Sequence, residues 1–204
     1  MDNFIKKIWT PKIWLPLAIM LFVIQLLVPA YMIFEQQQTL KHGNLYKFKI
    51  RPIDPYDPFR GRYVVLSFDA ENSPIPLQQQ NKNAKQDLKR NAWVYAKLTQ
   101  DEDGYARFSE LSLTKPTSDN DYLRVQLRYG GVKDNYPINI PFDRYYAPEN
   151  KAYAIEANVR QRTRRNSDDQ VYVTVKIRNG KGTIEDLFIN DTPILDFVEG
   201  QIQN

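Results

Sequence analysis

The chain opens with a long apolar stretch and then changes to an alternating pattern. No residue between Ile13 and Phe34 is charged, and Gln25 is the only strongly polar side chain there. A helix of about 20 apolar residues crosses the ~30 Å hydrocarbon core of a bilayer. Trp14 and Tyr31 lie near the two ends of the stretch, where aromatic rings suit the membrane interfaces. The pattern predicts one transmembrane helix over residues 13–34.

The charges on either side of this stretch set its predicted orientation. Three lysines precede it, whereas Glu35 and three glutamines follow it. Because cytoplasmic flanks carry the excess of Lys and Arg, we expect the N-terminus to lie in the cytoplasm. A cleaved signal peptide is the alternative, but its apolar region is usually shorter and no small-x-small cleavage site follows here. We therefore expect an uncleaved anchor.

This orientation divides the chain into four predicted parts on either side of a cytoplasmic (inner) membrane. They are a cytoplasmic N-terminus at residues 1–12, the transmembrane helix at 13–34, a polar connector at 35–44 and an extracytoplasmic, periplasmic domain at 45–204. The sequence of the connector is compatible with a continuation of the membrane helix. The bilayer is then the first expected partner, through residues 13–34.

After the connector, apolar and polar residues alternate as they do in β-strands. In LYKFKI the aromatic side chains fall on one face and the lysines on the other. Val64, Leu66 and Phe68 share a face in the next such run. Asp103-Gly104 and Asn179-Gly180 each separate two alternating runs, which is a strong hairpin signal. We expect about eight strands in a mainly β, antiparallel domain of barrel-like or sandwich-like form.

Two segments break the alternation. The polar stretch from Ser73 to Asn91 predicts a surface excursion with a short helix at residues 84–90. Within APENKAYAIEANVRQRTRRN, Ile155 and Val159 stand one helical turn apart, so one face of an amphipathic helix is apolar. Four arginines collect at its C-terminal end, which favours a solvated helix end first and a candidate binding surface for acidic headgroups or an acidic protein second: Arg160, Arg162, Arg164 and Arg165.

Composition removes most catalytic and metal chemistry. The chain has no cysteine and a single histidine, His42, next to the anchor. A thiolate site, a disulfide and a Ser-His-Asp triad without His42 are therefore excluded. No glycine cluster precedes a helix as a phosphate loop requires. We expect no catalytic residue, no metal, no cofactor and no nucleic-acid partner.

Acidic residues gather at two places, and both have a local explanation. Asp54 and Asp57 each precede a proline, where a carboxylate closes a turn by accepting a backbone N–H. Asp101, Glu102 and Asp103 fall in the first predicted hairpin turn. A calcium loop needs about six spaced oxygen ligands, and neither stretch supplies them.

The stretch RPIDPYDPFRGRYVVLSFDAE predicts a rigid corner that leads into a strand. Its prolines stiffen an extended approach and remove backbone donors. Gly61 permits a bulge or a positive φ, Arg60 can pair with the nearby aspartates, and Tyr63 lies opposite the apolar face. The corner is defined by seven residues: Asp54, Asp57, Arg60, Gly61, Tyr63, Leu66 and Phe68.

The same stretch resembles the motif of a bacterial family, GDYXXLXY. Gly61, Tyr63 and Leu66 match the motif, Arg62 stands at its aspartate and Phe68 at its final tyrosine. The segment RYYAPENKAYAIEANVR and the closing hairpin resemble the family as well. The resemblance implies a protein of unassigned function that is anchored in the cytoplasmic (inner) membrane of a bacterium and is often encoded beside a multi-span membrane protein. No catalytic residue is implied.

Three functional hypotheses remain open at this point. The first is a non-enzymatic anchored domain that binds or supports a partner, expected to be an integral membrane protein. The second is a distantly signal-peptidase-like hydrolase with a Ser/Lys or carboxylate site, for which Asp54, Asp57, Asp69, Arg60 and Arg62 are the suspects; no serine precedes Arg62. The third is a ligand-binding module whose groove would use Tyr145, Tyr146 and Tyr153.

Overall fold

A computed structural model describes residues 11–51, 63–78, 91–117, 121–128, 135–163 and 168–202. Its first element is the helix α1 (Pro11–His42), which is ~48 Å long at ~1.5 Å per residue. The helix is long and apolar enough to cross a membrane, and none of its apolar window is buried against the rest of the chain. The residues of the predicted connector continue this helix for two further turns.

The rest of the chain is mainly β. The described strands are β1 (Asn44–Lys49), β2 (Tyr63–Val65), β3 (Ile75–Pro76), β4 (Trp93–Gln100), β5 (Ala106–Ser112), β6 (Tyr122–Leu127), β7 (Asn135–Tyr136), β8 (Ile138–Asn139), β9 (Arg144–Tyr146), β10 (Val171–Arg178), β11 (Lys181–Ile189) and β12 (Thr192–Pro193). Within the described ranges, two α-helices accompany them, α2 (Glu149–Arg162) and α3 (Ile194–Ile202). The strands beyond the expected eight are very short, and two or three residues carry no readable alternation.

The strands form two antiparallel four-stranded sheets, ordered β1-β10-β11-β12 and β5-β4-β6-β8, with the small pairs β2-β9 and β3-β7 beside them. Single bridges, Lys47 to Tyr105 and Leu123 to Gly180, join the two larger sheets. The backbone N–H of Arg124 donates to the carbonyl of Gly180 at 2.9 Å along the second junction. The result is a curled half-barrel, which confirms the mainly β, barrel-like expectation.

The predicted apolar faces form the core. Phe48, in β1, is fully buried, and its ring meets those of Phe68 and Phe142 edge-on at 5.7 and 5.6 Å. Val64 and Leu66 are buried as well, whereas Tyr63 on the opposite face is half-buried. Aromatic pairs in this edge-to-face geometry add stability beyond the area they bury. The alternation therefore identified the inner face correctly.

Both predicted hairpins form. Gly104 has a φ of +82°, and the carboxylate of Asp101 accepts the backbone N–H of Tyr105 at 2.8 Å across the first turn. Asn179 and Gly180 have φ values of +52° and +77°, and they connect β10 to β11. A two-residue turn of this kind needs a positive φ at both positions, which asparagine and glycine tolerate best.

The predicted amphipathic helix is confirmed as α2, which buries Ile155 and Val159. A second short helix, α3, was not expected from the sequence and adds to the fold. It buries Ile194 and Val198, one turn apart, and the amine of Lys151 in α2 pairs with its Glu199. The predicted short helix at residues 84–90 lies outside the described residues.

The junction of α1 with the half-barrel is tightly built. The N–H of Gly43 donates to the carbonyl of Thr39 at 2.9 Å and ends the helix. A Cβ at Gly43 would lie 2.5 Å from that oxygen and 3.0 Å from the backbone N of Ile177, so only glycine fits. Thr39 is buried, and the Lys181 amine forms an ion pair with Glu35. The last two turns of α1 therefore pack on the sheet that contains β10 and β11.

Candidate functional site

A cleft of about 1030 Å³ lies where α1 meets the half-barrel. One wall is the last part of the helix, at Met32, Glu35, Gln36 and Thr39. Gly180 of the turn and residues 181–185, the first part of β11, form a second side. Residues 141–146, together with Trp93 and Arg124, form the rest of the described lining.

Strand direction explains why these residues meet beside the helix. β1 leads away from the end of α1, and β10 runs antiparallel to it, with Asn44 opposite Ile177. The turn at Asn179-Gly180 therefore points back along α1, which brings Lys181 to Glu35. The neighbouring strand β6 is bonded to this turn, because the N–H of Arg124 donates to the carbonyl of Gly180. Trp93, the first residue of β4, pairs with Gln126 of β6, so β4 begins on the same side.

Aromatic rings and arginines are prominent in and beside this part of the cleft lining. Trp93 is half exposed, and the guanidinium of Arg124 stands 4.7 Å from the centre of its indole ring. Tyr146 is 71% exposed and contacts the ring of Tyr63, and Arg144 lies 4.9 Å from the Tyr63 ring centre. Exposed Trp, Tyr and Arg are the residues that most often dominate binding between proteins.

The charges of the cleft are balanced. Among the residues that the structure describes, three cations and three carboxylates line it: Arg124, Arg144, Lys181, Glu35, Asp143 and Glu185. Lys181 pairs with Glu35, and Arg144 with Asp143 at 3.5 Å. No single sign of charge therefore prevails among these side chains. The distinctive features of the cleft are its shape and its exposed aromatic rings.

One side of the cleft is fixed by a buried tyrosine. The hydroxyl of Tyr145 donates to a carboxylate oxygen of Asp186 at 3.0 Å, and the same oxygen accepts the N–H of Leu187 at 2.7 Å. Burial and the neighbouring Asp186 raise the pKa of Tyr145 well above its ordinary range. Tyr145 therefore stays protonated and acts as a fixed hydrogen-bond donor between β9 and β11.

The predicted corner is described only in part. Asp54, Asp57, Arg60 and Gly61 lie outside the described residues, as does Arg62. Leu66 and Phe68 are buried core residues. In β2, Tyr63 stands directly opposite Tyr146 of β9, so the ring of the motif tyrosine lies beside the ring of a cleft residue.

A buried carboxylate that sequence reasoning missed also positions the cleft. Glu71 is only 8% exposed, and one of its oxygens accepts the N–H of Ile140 at 2.8 Å. Its other oxygen lies 3.4 Å from the N–H of Phe68. The bond ties the end of the motif to the segment that enters the cleft wall. No local sequence signal distinguishes this glutamate from an exposed one.

The candidate arginine surface is described at two of its four positions. Arg160 is exposed, whereas Arg162 pairs with Asp169 at 2.6 Å and lies 4.6 Å from the ring centre of Phe197. Arg162 therefore connects α2 to α3 within the domain. Arg164 and Arg165 lie outside the described residues.

The tyrosines and carboxylates of the other two hypotheses are spread over the fold. Tyr145 and Tyr146 line the cleft, while Tyr153, 72% exposed, lies on α2 outside it. Asp69 is half-buried in the single helical turn that Glu71 ends. Among the described residues, no group of three His, Asp or Glu side chains is placed to hold a metal ion.

Comparison with known proteins gives one match. The model of a family described as GDYXXLXY protein matches residues 25–187. The matched range contains the second half of α1 and all the cleft residues, and it ends before α3. No curated protein and no solved structure matches the chain.

Proposed function

This chain belongs to the GDYXXLXY family, whose function is unassigned. We propose that it is a single-span membrane protein, and that it binds or supports an integral membrane protein in the cleft beside its anchor. The proposed topology has four parts: residues 1–12 in the cytoplasm, 13–34 in the bilayer, 35–44 emerging from it and 45–204 as the extracytoplasmic, periplasmic domain of a bacterial protein.

Exposure of α1 supports the membrane location. Its side chains from Trp14 to Phe34 are all exposed, and nearly all are apolar. Soluble proteins rarely leave an apolar surface of this size in water, whereas lipid covers it without cost. The lysines before the helix support the proposed orientation.

The position of the cleft is the observation that carries the proposal. Headgroups add roughly 5–7 Å to each side of the hydrocarbon core. If α1 leaves the core at Phe34, then Glu35 to Thr39 cover ~7 Å at ~1.5 Å per residue, which is the depth of that layer. The cleft, which these residues line, therefore opens at the membrane surface. A protein that emerges from the bilayer beside α1 meets Trp93, Tyr146 and Arg124 there.

The hydrolase alternative receives no support from the described part of the chain. Of its suspected residues, only Asp69 is described, and it lies in a turn outside the cleft. The proposed binding of a partner, by contrast, would use Trp93, Arg124 and Tyr146, which are exposed and line one cleft. We therefore propose no reaction for this protein.

Site-specific photo-crosslinking in native membranes tests the proposal. A photoreactive amino acid replaces Tyr146, 71% exposed in the cleft, or Tyr153, 72% exposed on α2 and outside it. We expect the probe at Tyr146 to give one discrete product that contains an integral membrane protein, and the probe at Tyr153 to give none. Identical products at both positions, or no protein product at Tyr146, would contradict the proposal.

A further inference from the structure

We infer that the cleft continues into the bilayer along one face of α1, marked by Gln25, and that this face packs against a transmembrane helix of the partner. The inference rests on the proposed function and specifies the partner surface: a membrane helix with a hydrogen-bonding side chain near mid-bilayer and an extracytoplasmic extension that enters the cleft.

Gln25 places a polar side chain where hydrogen-bonding groups without a partner cost free energy. It lies near the middle of the uncharged stretch and its side chain is exposed. Its amide carries two N–H donors and a carbonyl acceptor, and lipid chains satisfy neither. None of the described residues forms a hydrogen bond with this side chain. In membranes, glutamine side chains of this kind bond across to a neighbouring helix.

The face that carries Gln25 is also the face that lines the cleft. An α-helix advances by about 100° per residue. Met32 is seven positions after Gln25 and Gln36 is eleven positions after it, so both stand within about 20° of it around the axis. Met32 and Gln36 line the cleft. A helix that packs against Gln25 and runs along α1 is therefore directed into the cleft.

The spacing along this face suits helix-to-helix packing. Steps of four and three residues keep side chains on one seam between two helices that pack at a small angle. The seam consists of Ala18, Phe22, Gln25, Pro29, Met32 and Gln36.

A second copy of this chain does not fit the seam. In a two-fold symmetric pair, both copies present the same patch to the axis. Because the half-barrel packs on the cleft side of α1, both half-barrels would be directed at that axis and compete for one space. The partner on the seam is therefore a different protein, whose helix does not carry a bulky domain on the same side.

Crosslinking from three positions on α1 tests the inference in native membranes. Probes replace Phe22 and Gln36 on the seam, and Leu27 as the control. Leu27 is 60% exposed like Phe22, but it stands about 160° away from Gln25 around the helix. We expect Phe22 and Gln36 to give a product with the same membrane protein, and Leu27 to give none.

Substitution of Gln25 supplies the second arm. Gln25→Leu makes the span more apolar, so we expect membrane insertion to be retained. The yield of the crosslinked product at both seam positions should fall roughly 3- to 30-fold, which corresponds to the energies measured for one hydrogen bond between membrane helices. Gln25→Asn, which keeps the amide, should restore most of the yield.

Each contrary outcome identifies what is wrong. A product of twice the chain mass indicates a second copy, lipid adducts alone at Phe22 indicate a lipid-covered seam, and equal products at Leu27 indicate unspecific contact; each overturns the inference. A product at Gln36 that persists in Gln25→Leu, with none at Phe22, overturns the inference and leaves the proposed function standing. If the probe at Tyr146 gives no protein product in the otherwise unchanged chain, both the inference and the proposed function are overturned.

Discussion

Replacing Phe48 with alanine is expected to lower the free energy of unfolding of the half-barrel by about 3–5 kcal/mol. Phe48 is fully buried, and its ring lies within 6.2 Å of the centres of three other phenylalanine rings. Removing the ring loses its burial and leaves a cavity that the surrounding strands fill only partly. Denaturant unfolding of the full chain in detergent micelles, followed by near-ultraviolet circular dichroism, measures the change.

Leu45→Ala is the matched control for this prediction. Leu45 is in the same strand as Phe48, but it is 45% exposed and stands on the opposite face. We expect its free energy of unfolding to stay within about 0.5 kcal/mol of the parent protein. An equal decrease in the free energy of unfolding in both variants would contradict the burial of only one face of β1 in the core.

Raising the pH above 10 is expected to destabilise the domain steeply. The hydroxyls of Tyr46, Tyr145 and Tyr172 donate to Asp121, Asp186 and Asp191. Burial and the adjacent carboxylate raise the pKa of each of the three tyrosines. Because an unfolded tyrosine titrates near 10, the unfolded chain loses these protons first. The stabilisation is complete below pH ~10 and is lost as the pH rises toward the folded-state pKa.

The slope of stability against pH measures this effect. Each proton that only the folded state retains lowers the free energy of unfolding by about 1.4 kcal/mol per pH unit. Tyr145→Phe removes one such proton, so its slope above pH 10 should be shallower than that of the parent protein by that amount. An unchanged slope in this variant would contradict the assignment of Tyr145 as a protonated donor to Asp186.

The half-barrel was largely predictable because its signals are local. Alternation identified the buried face of Val64, Leu66 and Phe68, and the dipeptides Asp103-Gly104 and Asn179-Gly180 identified two hairpins. Each of these depends on residues that are neighbours in the sequence. The helix α3 was missed because its residues follow a short β-turn and read as the end of the last hairpin.

The cleft was not predictable, because it depends on contacts between distant parts of the chain. Lys181 meets Glu35 across 146 positions, and Glu71 binds Ile140 across 69. No periodicity or motif records either contact. The sequence directed attention to the corner at residues 51–71, and the described part of that corner supports the cleft through Tyr63 and Glu71 rather than forming a site of its own.

The depth of Trp93 in a bilayer tests most directly whether the cleft lies at the membrane surface. With Trp9→Phe and Trp14→Phe, Trp93 is the remaining tryptophan, because the chain has three. The full chain is placed in phosphatidylcholine nanodiscs that carry a spin label either on the headgroup or deep in the acyl chains. For comparison, Trp93→Phe is combined with Glu102→Trp, since Glu102 is exposed beyond the far end of β4, ~20 Å away.

We predict that the headgroup label quenches the fluorescence of Trp93 strongly, that the deep label quenches it weakly, and that neither label quenches the tryptophan at position 102. If neither label quenches the fluorescence of Trp93, the half-barrel lies away from the bilayer, and the proposed location of the cleft at the membrane surface is wrong.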